Sequence, residues 1–237
     1  MIGNLKLQRC NQDVVGFLLL ALFRLKSYIN KVKDNVSIFK KKRNTKLNSK
    51  QYREHELVGK VLTAEPYMYD STFKRAVVTI CDYKPNDGAI GFILNKPIKM
   101  QIAELVADFP EFEAHVSYGG PVSTDTIHFV HNVGELIDNS VKVMPGLYWG
   151  GDFNKLKFLI RSEMVSPENV RFFVGYSGWE PDQLNGELDA ESWIISEMDP
   201  NYAFNNRKNK NLWRDVLTLK GDSYSVIAQM PERNSNN

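Results

Sequence analysis

The stretch FFVGYSGWEPDQLNGELDAESWIIS, residues 172–196, carries the pattern that decides how this chain folds. An apolar run typical of a buried strand ends in Gly-Tyr-Ser-Gly-Trp, and a segment with helical spacing follows it. Ser177 could be a nucleophile on a strand-to-helix turn, as in some hydrolases. Alternatively, residues 175–179 could form a structural joint built on two glycines and a tryptophan. The first alternative predicts an enzyme, and the second predicts a protein without catalysis at this position.

The residues around Ser177 favour the joint. The α/β-hydrolase elbow requires Gly-x-Ser-x-Gly, and this sequence has Trp179 at the position of the last glycine. Those hydrolases also place the catalytic histidine after the serine, whereas all four histidines here precede Ser177. Other triad orders exist, so the order alone does not decide the question. In the joint, Gly175 and Gly178 allow close approach of neighbouring chains, Trp179 and Trp193 anchor the following helix on the sheet, and Ser177 makes a local hydrogen bond.

Outward from this stretch, strands and helices alternate irregularly. Two apolar runs, residues 75–83 and 89–95, flank the turn signal Asp87-Gly88 and should pair as an antiparallel hairpin. Helical spacing is present over residues 100–109, over residues 153–164 after an N-capping Asp152, and over residues 211–221. The segment at residues 223–230 fits neither pattern clearly. This order predicts an α+β domain over residues 57–232, with a mainly antiparallel sheet, three or four packed helices and a disordered tail at residues 233–237.

The first 56 residues differ from the rest in charge. Residues 1–60 carry 14 Lys or Arg and 4 Asp or Glu, whereas residues 61–237 carry 16 and 24. An uncharged run at residues 14–23 is too short to span a bilayer, which takes about 20 residues, and no signal-peptide cleavage site follows it. Apolar residues continue beyond it at helical spacing: Leu18, Leu22, Leu25, Ile29, Val32 and Val36. We predict a basic, amphipathic helical extension and linker over residues 1–56.

Three roles fit this extension. It could pack on the body, lie on an anionic membrane surface through residues 14–43, or attract nucleic acid through the cluster KKKR at residues 40–43. Because the body is acidic, nucleic acid could be bound only through the basic extension. A natural start beyond the extension would need a codon other than Met, since the next methionine is Met68.

No metal and no cofactor is predicted. His128 and His131 have opposite parity in a strand, so one should face the core and the other the solvent, and no acidic or Cys ligand lies between them. The glycine pairs at residues 119–120 and 150–151 lack the GxGxxG and Walker patterns. The second pair leads into a helix N-terminus, where backbone N–H groups could hold an anion. Two distant cysteines do not form a disulfide framework, so nothing indicates export from the cytoplasm.

Four ordered segments resemble the YqgE/AlgH family of bacterial proteins: TAEPYMYDSTFKRAVVTICDY, DGAIGFILNKP, YGGPVSTDTIHFVH and FFVGYSGWEPDQLNGELDAESWI. The resemblance covers about residues 57–237 and does not include residues 1–37. It implies a strongly curved sheet and a cytosolic protein. Members of the family are often labelled transcriptional regulators, and no enzymatic activity or cofactor is firmly attached to them.

The resemblance also carries motif positions onto this sequence. Five of them are polar residues that packing alone does not require, and we predict that they form a surface for a ligand or partner: Asp70, Arg75, Asn95, Gln183 and Glu187. The alternative is a hydrogen-bonded polar network that holds loops together, and the sequence favours it somewhat over a ligand site. The structural motif positions are Gly119, Gly120, Pro121, Gly178, Trp179 and Trp193.

The sequence therefore predicts a cytosolic, non-enzymatic regulatory or binding protein with no catalytic residue. One alternative is a hydrolase-like enzyme with a site near Asp70, Arg75 and Glu187. Another is an adaptor on the inner membrane surface that acts through the extension. The partner could be a protein or a small molecule, and neither its identity nor the oligomeric state follows from the sequence.

Overall fold

A computed structural model describes residues 54–204 and 211–231, which lie in the unit Gln51–Asn237. The predicted amphipathic stretch at residues 14–43 and the tail at residues 233–237 fall outside the described residues. Ten strands are described: β1 (Lys60–Ala64), β2 (Val77–Lys84), β3 (Gly88–Ile93), β4 (Pro97–Gln101), β5 (His115–Tyr118), β6 (Val122–His131), β7 (Val141–Met144), β8 (Leu147–Trp149), β9 (Val170–Trp179) and β10 (Trp193–Glu197). Seven helices are described: α1 (Glu54–Leu57), α2 (Ile102–Leu105), α3 (Phe153–Arg161), α4 (Gln183–Asp189), α5 (Asn201–Phe204), α6 (Leu212–Leu219) and α7 (Asp222–Ala228).

The strands form one large sheet in the order β10-β1-β2-β3-β9-β6-β8-β7, with β4 and β5 attached beside β9. Every pairing is antiparallel except that between β5 and β9. The predicted hairpin of β2 and β3 is present, with Lys84 paired to Gly88 across the turn. The α+β class and the mainly antiparallel sheet predicted from the sequence are thus confirmed.

Strand β9 connects the two halves of the sheet. Its first half pairs with β5 and β6, and residues 177–179 pair with β3. Gly175 lies between the two halves with a φ of 65°, a left-handed conformation that glycine adopts without strain. The strand can therefore bend there and change its neighbours.

This arrangement corrects the prediction of a strand-to-helix joint at residues 175–179. The segment continues as strand, because Gly178 pairs with Ile90 and Trp179 pairs with Ala89. The helix α4 begins later, at Gln183, after Asp182 in a left-handed conformation. Residues 175–179 therefore join two halves of a sheet rather than a strand and a helix.

The helices also differ from the prediction of three or four. Three of the seven, α1, α2 and α5, are single turns of four residues in the described part of the chain. The helix expected over residues 100–109 is reduced to α2, because residues 97–101 pair with β5 and Val106 is already extended. The ambiguous segment at residues 223–230 contains α7. The predicted N-cap Asp152 is confirmed, since its carboxylate accepts hydrogen bonds from two amides of α3.

The core divides into three clusters of buried side chains. The first lies between the sheet and helices α5, α6 and α7, the second includes Leu184 of α4, and the third includes residues of α2 and α3. The sheet bends back on itself without closing. A Cβ added at Gly59, just before β1, would lie 3.3 Å from both the Met144 Cβ and the Val143 carbonyl oxygen of the edge strand β7.

Candidate functional site

The carboxylate of Glu187 joins three elements. One oxygen accepts hydrogen bonds from the indole N–H groups of Trp179, at 2.9 Å, and Trp193, at 2.7 Å. The other oxygen accepts from the side-chain amide of Gln183 at 2.9 Å, one turn earlier in α4. The side-chain carbonyl of Gln183 in turn accepts a hydrogen bond from the backbone N–H of Glu180 at 2.9 Å. Glu187 and Gln183 thus bind the start of α4 to the tryptophans of β9 and β10.

The loop at residues 65–76 attaches to the same corner through Phe73. Its ring centre lies 6.4 Å from that of Trp179 in a stacked arrangement and 5.4 Å from that of Trp193 in an edge arrangement. The two indoles themselves meet edge to face at 6.0 Å. Such aromatic contacts add about 0.5–1.5 kcal/mol each beyond the burial of apolar area. The loop is therefore packed against the sheet.

Asn95 and Arg75 form a second contact. The Asn95 side chain donates to the backbone carbonyl of Arg75 at 2.7 Å and accepts from the backbone N–H of Val77 at 3.0 Å. The guanidinium of Arg75 lies over the Trp213 ring, 4.7 Å from its centre, and donates to the backbone carbonyl of Met230. Arg75 itself has a φ of 52°, an uncommon conformation for a residue other than glycine. Asn95 thus stabilises the backbone conformation of Arg75, and the Arg75 side chain contacts the C-terminal segment through Trp213 and Met230.

Asp70 shapes the tip of the same loop. Its carboxylate accepts from the backbone N–H of Thr72 at 2.7 Å, and it remains exposed. The Lys96 ammonium donates to the carbonyls of Ser71 and Thr72. Burial lowers the pKa of Lys96, and the nearby Asp70 carboxylate acts in the opposite direction. These contacts order the loop backbone around Asp70.

The five predicted polar residues therefore do not converge on one pocket. Gln183 contacts Glu187, Asn95 contacts the Arg75 backbone, and Asp70 closes its own turn. The enzyme alternative required Asp70, Arg75 and Glu187 to cluster around one substrate. In the structure each of these side chains contacts a different set of partners.

The predicted Gly-Gly-Pro motif lies beside the bend of β9. A Cβ at Gly119 would lie 2.2 Å from the Gly175 carbonyl oxygen, and one at Gly120 would lie 2.3 Å from the backbone of Tyr176. The exposed Pro121 follows them and leads into β6. A Cβ at Gly178 would come within 3.0 Å of the Tyr176 ring. The backbone at this crossing leaves room for glycine alone.

Ser177 is enclosed by this crossing. Its side chain is 0% exposed, and its hydroxyl donates to the Gly119 carbonyl at 3.0 Å. The thiol of Cys81 is also buried, and burial raises its pKa, with the charge of Asp82 adding to the effect. A neutral buried thiol is a poor nucleophile. Neither side chain has the exposure and activation that a nucleophile needs.

The two histidines of β6 occupy different environments. His131 is fully buried; its Nε2 donates to the Gly150 carbonyl at 3.0 Å, while Nδ1 has no hydrogen-bond partner among the described residues. His128 is half-buried, with Nε2 3.0 Å from the Thr126 hydroxyl. Burial lowers the pKa of both imidazoles. Within the described residues, no cluster of His, Cys, Asp and Glu side chains could hold a metal ion.

Arg171 is a buried polar centre that the sequence reasoning missed. It is 2% exposed and donates to the carbonyls of Leu94, at 2.5 Å, and Ala203, at 2.9 Å, and to the Ser117 hydroxyl at 2.9 Å. Burial lowers the pKa of its guanidinium to about 9, so it is still a cation at neutral pH. The only available signal was a charged residue inside the apolar run VRFFV. Arg171 of β9 thus connects the residue after β3 with β5 and α5.

A surface groove of about 420 Å³ lies away from the predicted residues. Its walls are residues 127–129 of β6, Val141 of β7 and Val106 after α2, together with Trp149, Gly150, Gly151 and Phe153 before and at the start of α3. None of the five predicted polar residues lines it. Helical segments of the described chain contain no stretch long and apolar enough to cross a membrane.

Comparisons with known proteins agree with this geometry. A model of the AlgH-like family, DUF179, matches residues 61–225. A UPF0301 protein from Chlorobium phaeobacteroides is 40% identical over 174 residues, which cover 73% of this chain and 92% of that protein. A UPF0301 protein from Cytophaga hutchinsonii is also 40% identical, over 73% of this chain and 94% of that protein.

Solved structures show the same fold. The solution structure of the AlgH protein from Pseudomonas aeruginosa superposes with a TM-score of 0.59 and 26% identity, covering 79% of this chain and 99% of that one. A crystal structure of a protein from Corynebacterium diphtheriae gives a TM-score of 0.61 at 18% identity, covering 76% of this chain and 95% of that one. The family resemblance inferred from the four sequence segments is confirmed, and the chain belongs to the AlgH-like (UPF0301) family.

Proposed function

We propose that this protein is a non-catalytic regulatory or binding module of the cytosol that recognises a protein partner through the loop at residues 66–72. The observation that carries the proposal is the contrast within this loop between a fixed backbone and exposed aromatic side chains. Tyr69 is fully exposed, and the Tyr67 side chain is 64% exposed although its hydroxyl touches the Met230 sulfur. Tyrosine is enriched at protein interfaces because its ring is large, rigid and amphipathic.

The loop is ordered from several sides. Lys96 binds its carbonyls, Asp70 closes its turn, and Phe73 packs against both tryptophans at its C-terminal end. A surface that is ordered before binding loses less conformational entropy in a complex. The motif residues thus support the proposal as a frame for the loop rather than as ligand contacts.

The environment of the reactive groups supports a non-catalytic role. Ser177 is enclosed and donates to a backbone carbonyl, and Glu187 accepts three hydrogen bonds from its own neighbours. A general base or nucleophile must reach the substrate in a productive geometry. A broad hydrolase screen checks this point: turnover that disappears in Ser177→Ala would replace the proposal with an enzyme.

The partner surface can be tested by affinity capture from cells that make the protein. The full chain, the double variant Tyr67→Ser/Tyr69→Ser and the control Phe158→Ser serve as baits. Phe158 is a comparably exposed aromatic residue on α3, 56% exposed. The proposal expects the same partner on the full chain and the control, and its loss on the double variant. Equal capture by all three baits would contradict it.

A membrane-surface adaptor is the second candidate, because residues 18–36 carry an apolar stripe within a basic segment. Co-sedimentation with vesicles containing anionic lipid tests it on the full chain. Leu22→Glu/Leu25→Glu should abolish vesicle binding if the stripe inserts. Unchanged co-sedimentation of this variant would contradict the membrane role. Competition of added DNA with the vesicles for the full chain tests the nucleic-acid role.

A further inference from the structure

The groove between β6 and the start of α3 has the dimensions of a small-molecule site. Its volume of about 420 Å³ falls within the range of about 300–1,000 Å³ typical of such sites. It is formed by parts distant in sequence, since Val106, residues 127–129, Val141, residues 149–151 and Phe153 all meet there. It is separate from the tyrosine-bearing loop and contains none of that loop's residues.

The groove is uncharged at neutral pH. Among the described residues that line it, His128 is the one titratable side chain, and burial keeps its pKa below the ordinary histidine value. The remaining lining consists of Val, Ile, Phe and Trp side chains and two glycines. A charged ligand would lose its hydration here without gaining an opposite charge, which is costly. The lining therefore favours an uncharged ligand.

Aromatic rings give the groove its shape. Trp149 lies 6.0 Å from the Phe92 ring, and Phe129 lies 5.9 Å from the Phe153 ring, between ring centres. Flat ligands gain from offset or edge contacts with such rings in addition to their apolar burial.

Two backbone amides beside the aromatic walls have no hydrogen-bond partner among the described residues. The Gly150 N–H is used by the Phe129 carbonyl, and Asp152 caps the amides of Asn154 and Lys155. The two amides without such a partner are those of Gly151 and Phe153. At Gly150 no atom lies within 4 Å of an added Cβ, so a ligand could approach the backbone there.

We propose that this groove binds an uncharged, flat aromatic molecule. The proposal does not depend on the protein-binding loop, so a negative result for that loop would leave it unchanged. It predicts that the groove binds an uncharged small molecule more tightly than a charged one of the same shape.

Two fluorescent probes with the same ring skeleton test it on the full chain. N-phenyl-1-naphthylamine is uncharged, and 8-anilinonaphthalene-1-sulfonate adds one sulfonate to that skeleton. The expected result is saturable binding of the uncharged probe, at least about tenfold tighter than that of the sulfonate, a difference of about 1.4 kcal/mol. Equal affinity of the two probes, or the absence of saturable binding of the uncharged probe, would overturn the proposal.

Variants locate the probe. Val141→Arg places a cation at the rim of the groove and should weaken binding of the uncharged probe at least about tenfold. Val106→Arg makes the same change on a separate segment of the lining, so the two variants test the site independently. Val226→Arg, at an exposed position of α7, is the matched control and should bind the probe as the parent does. Equal affinity of Val141→Arg, Val106→Arg and the control would overturn the assignment of the groove, and circular dichroism checks the fold of each variant.

Discussion

The indole N–H of Trp193 donates to the carboxylate of Glu187 over 2.7 Å and thereby connects β10 to α4. The same carboxylate oxygen accepts from Trp179 at the end of β9. One half-buried acid thus satisfies the polar atoms of two buried tryptophans, which could not otherwise lie in the core without cost. Glu187, a polar residue of the family motif, therefore stabilises the packing of α4 against β9 and β10.

The first prediction concerns this acid. Glu187→Ala should lower the free energy of unfolding by about 2–4 kcal/mol, because two buried indole donors lose their acceptor. Urea unfolding followed by tryptophan fluorescence measures the change. Glu180→Gln, at an exposed neighbouring position, is the control and should change stability by less than about 0.5 kcal/mol. A loss in Glu187→Ala no larger than in the control would show that the indoles find other acceptors.

The second prediction concerns the bend of β9. Gly175→Ala should destabilise the protein by at least about 2 kcal/mol, because a Cβ is strained at this φ. The added Cβ would also lie 2.6 Å from the Gly120 carbonyl oxygen and 2.8 Å from that of Val122. Gly186→Ala is the matched control within α4, where no atom lies within 4 Å of an added Cβ. It should stabilise by about 0.5–1 kcal/mol, because alanine favours the helix. Thermal unfolding of both variants would reveal changes of opposite sign, and equal signs would contradict the assigned bend.

The third prediction concerns the buried guanidinium. Arg171→Met should lower the free energy of unfolding by about 3 kcal/mol or more, because two buried carbonyls and a hydroxyl lose their donors. Arg171→Lys should recover only part of this loss, since one ammonium lacks the planar fork that reaches all three groups. The exposed Arg161, which donates to the Asp108 carbonyl at 3.2 Å, provides the control Arg161→Met. In chemical denaturation, Arg161→Met should show the smallest loss of unfolding free energy of the three variants. An Arg171→Met variant as stable as that control would refute the role of Arg171.

The fourth prediction concerns pH. Burial lowers the folded-state pKa of His131, whose Nδ1 would be protonated without an acceptor. Between the folded pKa and the unfolded value of about 6.5, the unfolded chain binds more protons. Stability contributed by His131 is therefore fully present above about pH 6.5 and is lost as the pH falls through the folded pKa. His128 acts in the same direction.

His131→Phe tests this dependence while keeping a ring between Phe129 and Tyr148. From about pH 6.5 to pH 5, its free energy of unfolding should fall less steeply than that of the parent, by up to about 1.4 kcal/mol per pH unit. Above about pH 7.5, where histidine is neutral in both states, the two slopes should agree. Parallel curves over the acidic range would exclude His131 as a source of the pH dependence.

Local patterns predicted several elements correctly. The turn at Asp87-Gly88 and the N-cap at Asp152 appear where the sequence placed them, because turn and cap chemistry involves residues only a few positions apart. The single-turn helices α1 and α5 were not predicted, because four residues are too few to show a helical period.

The sequence reasoning about the candidate site failed where partners are distant along the chain. Ser177 lies between Gly175-Tyr176 and Gly178-Trp179, a local pattern that indicates a turn, yet it pairs with Gly91 of β3. From the sequence, Arg171 resembles a surface residue of a strand. In the structure, the carbonyls of Leu94 and Ala203, which lie outside β9, accept hydrogen bonds from its guanidinium. The groove was not predicted at all, since its walls come from four separate segments.

By itself, the sequence determined the family, the α+β class, the antiparallel hairpin of β2 and β3, and the contrast between a basic extension and an acidic body. These properties follow from composition, short-range periodicity and local turn chemistry. Only the tertiary structure decided that β9 continues through residues 175–179, that Glu187 serves two tryptophans and that Arg171 is buried. The reason is that burial and hydrogen-bond satisfaction depend on which distant segments meet. The position of a carboxylate or guanidinium in the sequence does not indicate which groups it will contact.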